Sequence, residues 1–181
     1  MVLTDDDSIA KYAREYHDHG HENSPKLARG CDSKNIPGFN YRMTEMQAAV
    51  GKAQLRKLDA MLMANRARYR ALEQSLGGRY QLRSIPEPCV PTFDTFIIIS
   101  LDESIRHKMV ALLANDGFGT KNLPDAMEWH CAAFWGHALK PDQVEQSMKT
   151  RKLLEQTVAI PIWLKKSPKE YERLGRSLRR L

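Results

Sequence analysis

Between Met46 and Leu72, apolar residues fall at Met46, Ala49, Val50, Ala53, Leu58, Met61, Leu62, Tyr69 and Leu72. Spacings of three and four align them on one face of a helix. Thr44, with Gln47 three positions later, forms a capping box at the start, and Gly77-Gly78 closes the stretch. A single helix of that span measures on the order of 45 Å, long enough to bridge two domains. Upstream, Ile9, Tyr12, Ala13 and Tyr16 mark a shorter helix, capped by Asp5, Asp6 or Asp7 and ended near Gly20. Val2 and Leu3 read as the end of a strand. Residues 21–37 are polar, contain Pro25, Gly30 and Pro37, and have no sustained period, so they form a loop.

Beyond a proline-rich joint (Pro86, Pro88, Pro91), the stretch TFDTFIIISL is β-branched and aromatic enough for a buried strand. Asp102, Ile105, Met109, Leu112, Leu113 and Gly117 outline a helix over 102–116. A short strand at 118–122, a helix at 141–156, a strand at 157–162 and a final helix at 167–180 complete the pattern. This alternation predicts an α/β sandwich with a small sheet rather than a doubly wound domain.

Composition narrows the class without choosing a function. Hydrophobic residues at 42% and charged residues at 28% are ordinary for a globular chain. No run of eighteen apolar residues occurs, and MVLTDDDSIA is acidic where a signal peptide is basic and then apolar. The expectation is therefore a cytoplasmic protein without a membrane partner. Cys31, Cys89 and Cys131 are odd in number and far apart, which argues against a disulfide framework or a structural zinc site. Much of the net charge of +6 lies in Lys165, Lys166, Lys169, Arg173, Arg176, Arg179 and Arg180. Leu174, Leu178 and Leu181 recur at helical spacing among them, so a solvated basic helix face accounts for the charge and no nucleic-acid partner is expected.

The segment GFNYRMTEMQAA (38–49) concentrates chemistry. A loop opens into a capped helix whose positive end favours an anion, and Asn40, Tyr41 and Arg42 add an amide, a phenol and a guanidinium. Groups of that kind suit a phosphate or a carboxylated or hydroxylated ligand.

GFNYRMTEMQAAVGKAQLRKLD, preceded by VLTDDDSIAKYAREYHDHGH with its His19-Gly20 helix end, resembles the signature of the DegT/DnrJ-type aminotransferases. These are the sugar-aminating branch of the type I pyridoxal-phosphate enzymes. The resemblance is sharp over residues 1–75 and diffuse afterwards. It implies the carboxy-terminal part of a type I fold: 1–37 ending the large cofactor domain, 38–78 as active-site loop and interdomain helix, and 79–181 as a small domain whose short, mainly antiparallel sheet is flanked by helices. It also implies a homodimer with shared active sites. Asn40 would bond the phosphate of the partner subunit's cofactor, while Tyr41 and Arg42 would line the sugar pocket.

The implied reaction moves an amino group from an amino acid, usually glutamate, to a keto-sugar in surface polysaccharide (lipopolysaccharide) or amino-sugar biosynthesis. In the family, the Schiff-base lysine precedes the strand with which this chain opens. None of Lys11, Lys52 or Lys121 lies in a matching context, so no catalytic residue is expected here, and the chain alone is expected to be inactive. Trp129, His130, Trp135 and His137 form an aromatic, histidine-bearing segment suited to a substrate wall, with His130 as the candidate contact. Its pattern departs from the family's and puts a nucleotide-linked sugar in question, with a sugar acid such as a keto-octulosonate as the other choice. His17, His19 and His21 would share one face only on a strand, and a helix ending at Gly20 separates them, so no metal site is expected. The alternative to an enzyme is a non-catalytic basic α/β module for binding or sensing.

Overall fold

The computed structural model describes residues 2–28, 30–99 and 101–181, and these divide into two compact units, Met1–Arg56 and Lys57–Leu181.

The first unit holds two helices. The α1 helix, Asp7–Tyr16, is capped by Asp6, whose carboxylate accepts from the Ser8 and Ile9 amides. The α2 helix, Glu45–Leu55, opens on the expected capping box: the Thr44 hydroxyl accepts from the Gln47 amide at 3.3 Å, and the Gln47 side chain accepts from the Thr44 amide at 2.8 Å. The loop between them is irregular, as its composition predicts. Val2 and Leu3, expected in a strand, are exposed and unpaired. Among the described residues, no strand lies beside them to accept a ladder of hydrogen bonds.

The second unit carries the core. The α3 helix, Leu58–Leu76, ends at Gly77 in the left-handed conformation. Strands β1 (Gln81–Leu82), β2 (Thr95–Ile99) and β3 (Val158–Pro161) form one antiparallel sheet in that order. Helix α4, Glu103–Asn115, is capped by Asp102 as predicted. Helix α8, Pro168–Leu178, starts with a capping box between Ser167 and Glu170. Tyr69, Leu72 and Leu76 of α3, Phe96 and Ile98 of β2, Met109 and Leu113 of α4, and Tyr171, Leu174 and Leu178 of α8 are all buried in one cluster. Gly175 permits the close approach of α3 and α8, since a Cβ there would stand 2.5 Å from the Cβ of Ser75. The Tyr171 hydroxyl donates to the Pro161 carbonyl at 2.8 Å and accepts from the Trp163 amide at 2.7 Å, tying β3 to α8. Burial pushes that phenol's pKa upward.

Several expectations need correction. The predicted long helix is two, interrupted at Arg56 and Lys57. The apolar stripe is unequal along its length: no residue of α2 is buried, while Asn65, Tyr69, Leu72 and Leu76 of α3 are. Packing supplies most helix stability, and the ladder breaks just before the packed stretch begins. The helix expected over 141–156 is likewise split into α6 (Pro141–Gln146) and α7 (Met148–Glu155). At the break, the Ser147 hydroxyl turns back onto the Gln143 carbonyl at 3.2 Å. Residues 118–122 form no strand, because Gly119 and Asn122 take positive φ. Two strand-like bonds remain, from the Lys121 amide to the Ala159 carbonyl and from the Ala159 amide to the Leu123 carbonyl. They leave β3 bonded on both sides, and all four of its residues are buried. Two residues, Gln81 and Leu82, form a strand that composition alone does not signal. Among the described residues, no helix is long and apolar enough to cross a membrane.

Candidate functional site

The loop bearing Asn40, Tyr41 and Arg42 is fixed by the end of α1. Beyond Tyr16 the helix closes on itself, with the Asp18 and Gly20 amides both donating to the Glu15 carbonyl, and Gly20 takes φ +79°. The loop then returns along this terminus. The Phe39 amide donates to the Tyr16 carbonyl at 2.9 Å, the His19 amide to the Phe39 carbonyl at 3.1 Å, and the Tyr41 amide to the His17 carbonyl at 2.9 Å. Asp18 and Asn40 face each other in the resulting bridge. The two segments touch backbone to backbone, because a Cβ on Gly38 would lie 2.2 Å from the Gly20 nitrogen. The His-Gly helix end and the glycine that opens the motif thus form one contact.

On this frame the polar side chains organise themselves. Arg42 Nε donates to Asn40 Oδ1 at 3.1 Å and pairs with Asp18 Oδ1 at 3.4 Å. Asp18 Oδ2 accepts from the Asn23 side chain at 3.4 Å. Asp32 accepts from the Asn23 amide at 2.8 Å and meets His21 Nδ1 at 3.1 Å. The Asn23 amide, followed by the His21 pairing, holds the Asp32 carboxyl below the usual carboxylate range against the cost of its burial. Arg42, Asp18, His19, His21, Asn23 and Asp32 border a concavity of about 420 Å³. Asp18, Asn23 and Asp32 carry no motif of their own. The available signal was Asp18 beside the helix-ending glycine, where a short carboxylate readily meets a returning loop.

Asn40, Tyr41 and Arg42 are all exposed, so none belongs to a closed core. The Tyr41 ring stacks on Tyr16 at 6.2 Å and lies 5.9 Å from Phe39. These rings and Tyr12 form an exposed aromatic surface along α1. The amides of Thr44 and Gln47 are consumed by the capping box, so neither is left for an anion, and the side chains of Asn40 and Arg42 add donors of their own. Among the described residues, none accepts from the Asn40 side-chain NH2 or from the terminal nitrogens of Arg42.

His130 belongs to the second unit. It ends the short helix α5, Met127–His130, and is exposed. Its neighbour Trp129 is 79% exposed, Trp135 is partly covered, and Arg151 sits 4.4 Å above the Phe134 ring. His17 Nδ1 lies on the Arg14 carbonyl, His21 on Asp32, and the His19 and His21 rings meet edge-on at 6.3 Å. Lys11 pairs with Glu15 and Lys121 with Asp94.

The donor set fits the phosphate of a pyridoxal-type cofactor. An unengaged amide NH2 and the free end of a guanidinium supply several N–H donors and no acceptor, on a loop whose backbone is held by three hydrogen bonds.

The elements together are those of an aminotransferase fold segment, and the solved structures agree. A sugar aminotransferase from Micromonospora echinospora matches with a TM-score of 0.66 at 16% identity, over 95% of this chain and 45% of its own. An aminotransferase from Psychrobacter cryohalolentis matches with 0.66 at 19% identity, over 97% and 49%. A Streptococcus pneumoniae protein solved in its PLP form matches with 0.66 at 16% identity, over 98% and 44%. The chain thus spans about half the length of the structures it matches. Residues 1–179 match the model of the DegT/DnrJ/EryC1/StrS aminotransferase family. The chain belongs to that family.

Proposed function

We propose that this chain completes the active site of a pyridoxal-phosphate-dependent aminotransferase, with its 38–42 loop serving the cofactor pocket of a second subunit. The observation that carries the reading is the exposed NH2 of Asn40, held outward on a backbone-fixed loop with Arg42 beside it. In this reading Asn40 donates to the cofactor phosphate. Arg42 offers its terminal nitrogens to an anionic group of the sugar substrate, and Tyr41, backed by Tyr16, forms an aromatic wall of the same pocket. When bound, the cofactor supplies the electron sink that lets an amino group pass from an amino acid to a carbonyl carbon.

The amino donor we assign is glutamate. The acceptor is a keto-sugar, nucleotide-linked or a sugar acid such as a keto-octulosonate, made for surface polysaccharides or amino sugars in the cytoplasm. His130 and the exposed Trp129 give the substrate a second polar and aromatic contact. The lysine that holds the cofactor comes from outside residues 1–181, so this chain by itself binds no cofactor covalently.

Hybrid dimers test the shared site. A subunit carrying Asn40→Ala and Arg42→Ala is combined in equal amounts with one whose cofactor lysine is replaced, each homodimer being inactive or nearly so. Half of the dimers formed are hybrids, and each hybrid regains one intact site, so about a quarter of wild-type activity should return. No recovery beyond the sum of the two homodimers would mean that the loop serves its own subunit, and the proposal would fail.

A further inference from the structure

We propose that Asp18 is a positioning residue that fixes which end of the Asn40 side-chain amide faces outward, and that it thereby sets the site's preference for a phosphate. This rests on the reading of Asn40 given above.

Two donors converge on one atom of Asn40: the Arg42 backbone amide at 3.4 Å and Arg42 Nε at 3.1 Å. Both groups are donors only, so the atom between them must be the amide oxygen, and the NH2 must point away. That orientation matters chemically. An NH2 turned outward donates to a phosphate oxygen, whereas a carbonyl turned outward would repel it.

Arg42 is a long, half-exposed side chain, and its own backbone does not keep Nε in place. Asp18 does. Its Oδ1 lies 3.4 Å from the same Nε, with the carboxylate only 14% exposed against 45% for the arginine side chain. The carboxylate is held in turn by the Asn23 side chain on Oδ2 and by the bridge that sets Asp18 opposite Asn40. The order of control therefore runs from Asp18 to Arg42 Nε to the Asn40 oxygen. Without Asp18, the guanidinium turns to water and the amide samples both orientations, only one of which donates. Affinity then falls with the population of the competent state.

Simple electrostatics gives the opposite sign. Removing a carboxylate near a phosphate removes repulsion and should tighten binding. The two effects can therefore be separated by experiment.

The test uses the whole enzyme, freed of cofactor, and compares its dissociation constants for pyridoxal phosphate and for pyridoxal, which lacks the phosphate. Asn40→Ala should weaken pyridoxal phosphate by about 10-fold and pyridoxal hardly at all. Asp18→Ala should lower the same phosphate preference about 3-fold, and Asp18→Glu, which keeps the carboxylate that pairs with Nε, should lower it less. A merely structural role for Asp18 would weaken both ligands alike. If Asp18→Ala leaves the preference unchanged or raises it while Asn40→Ala lowers it, the positioning role is overturned and the reading of Asn40 stands. If Asn40→Ala itself shows no phosphate-selective loss, that reading fails and this proposal with it. Should Asp18→Ala not fold, Arg42→Lys carries the test: it removes Nε from a surface residue, so the preference must fall as well, and an unchanged preference overturns the proposal.

Discussion

The two units of this chain differ in whether their apolar residues build a core. In Lys57–Leu181 many do: among the described residues, all sixteen members of the buried apolar cluster belong to this unit, although Met63, Val90 and Trp129 are exposed. In Met1–Arg56 they are mostly outside, with Ile9, Tyr12, Phe39, Tyr41, Met46, Val50 and Leu55 exposed and no residue of α2 buried. What fixes the second unit is burial, and what fixes the first is backbone hydrogen bonding, caps and close glycine contacts. Backbone ordering costs roughly 1–2 kcal/mol per residue, and buried apolar surface is the main term that offsets it. The first unit is thus specified in shape but has little internal stabilisation, a poor basis for independent folding and a good one for a loop that serves another surface.

The largest expected effect comes from separating them. Residues 57–181 alone should unfold in one cooperative transition on heating or in urea, because the cluster is complete within them. Residues 1–56 alone should show no sigmoidal transition and little amide protection, since no comparable core exists there. A cooperative melt for 1–56, monitored by circular dichroism, would show that the hydrogen-bonded frame around Gly20 and Gly38 suffices by itself.

A smaller effect distinguishes equivalent positions of the predicted stripe. Leu72→Ala empties a fully buried site between α3 and α8 and should cost about 2–5 kcal/mol of unfolding free energy. Val50→Ala, on the exposed face of α2, should change it by no more than about 0.5 kcal/mol. Urea titration of both variants reads the difference. Equal costs would mean that α2 is packed in solution.

That pair also marks how far the sequence could be read. Periodicity placed Val50 and Leu72 on one stripe, and it cannot tell which part of a stripe finds a partner. The caps at Thr44 and Asp102, and a cap among Asp5, Asp6 and Asp7, were legible because each rests on a local hydrogen bond. The breaks at Arg56 and Ser147 were not, since neither carries a glycine or proline. The strand predicted at 118–122 failed at Gly119 and Asn122, two residue types that adopt positive φ readily, although their neighbours Lys121 and Leu123 still bond to Ala159. In the site, the motif disclosed Asn40, Tyr41 and Arg42. Their support by Asp18, Asn23 and Gly20 depends on a return of the chain across some twenty residues, which no local pattern encodes. His130 was chosen for its chemistry, and the fold sets it in the other unit.

The smallest effect is a pH response with one reporter in each unit. In the first, the Asn23 amide and His21 hold the Asp32 carboxyl below its ordinary range; in the second, Lys121 and then Thr92 do the same for Asp94. A carboxyl whose folded pKa is depressed contributes stability that is present above its unfolded value, near pH 4, and is lost as pH falls through the lower folded value. Both contributions should therefore be constant from neutral pH down to about 5 and decline below about 4. Their readouts differ because the units differ. Protonation of Asp94 acts on the cooperative core, so the thermal midpoint should fall in acid, and Asp94→Asn should flatten that fall. Protonation of Asp32 releases only the loop, so the Asn23 amide resonance should shift with pH while the midpoint stays unmoved, and Asp32→Asn should abolish that shift. A change of the global midpoint in Asp32→Asn as large as in Asp94→Asn would couple the two units thermodynamically and erase the contrast between them.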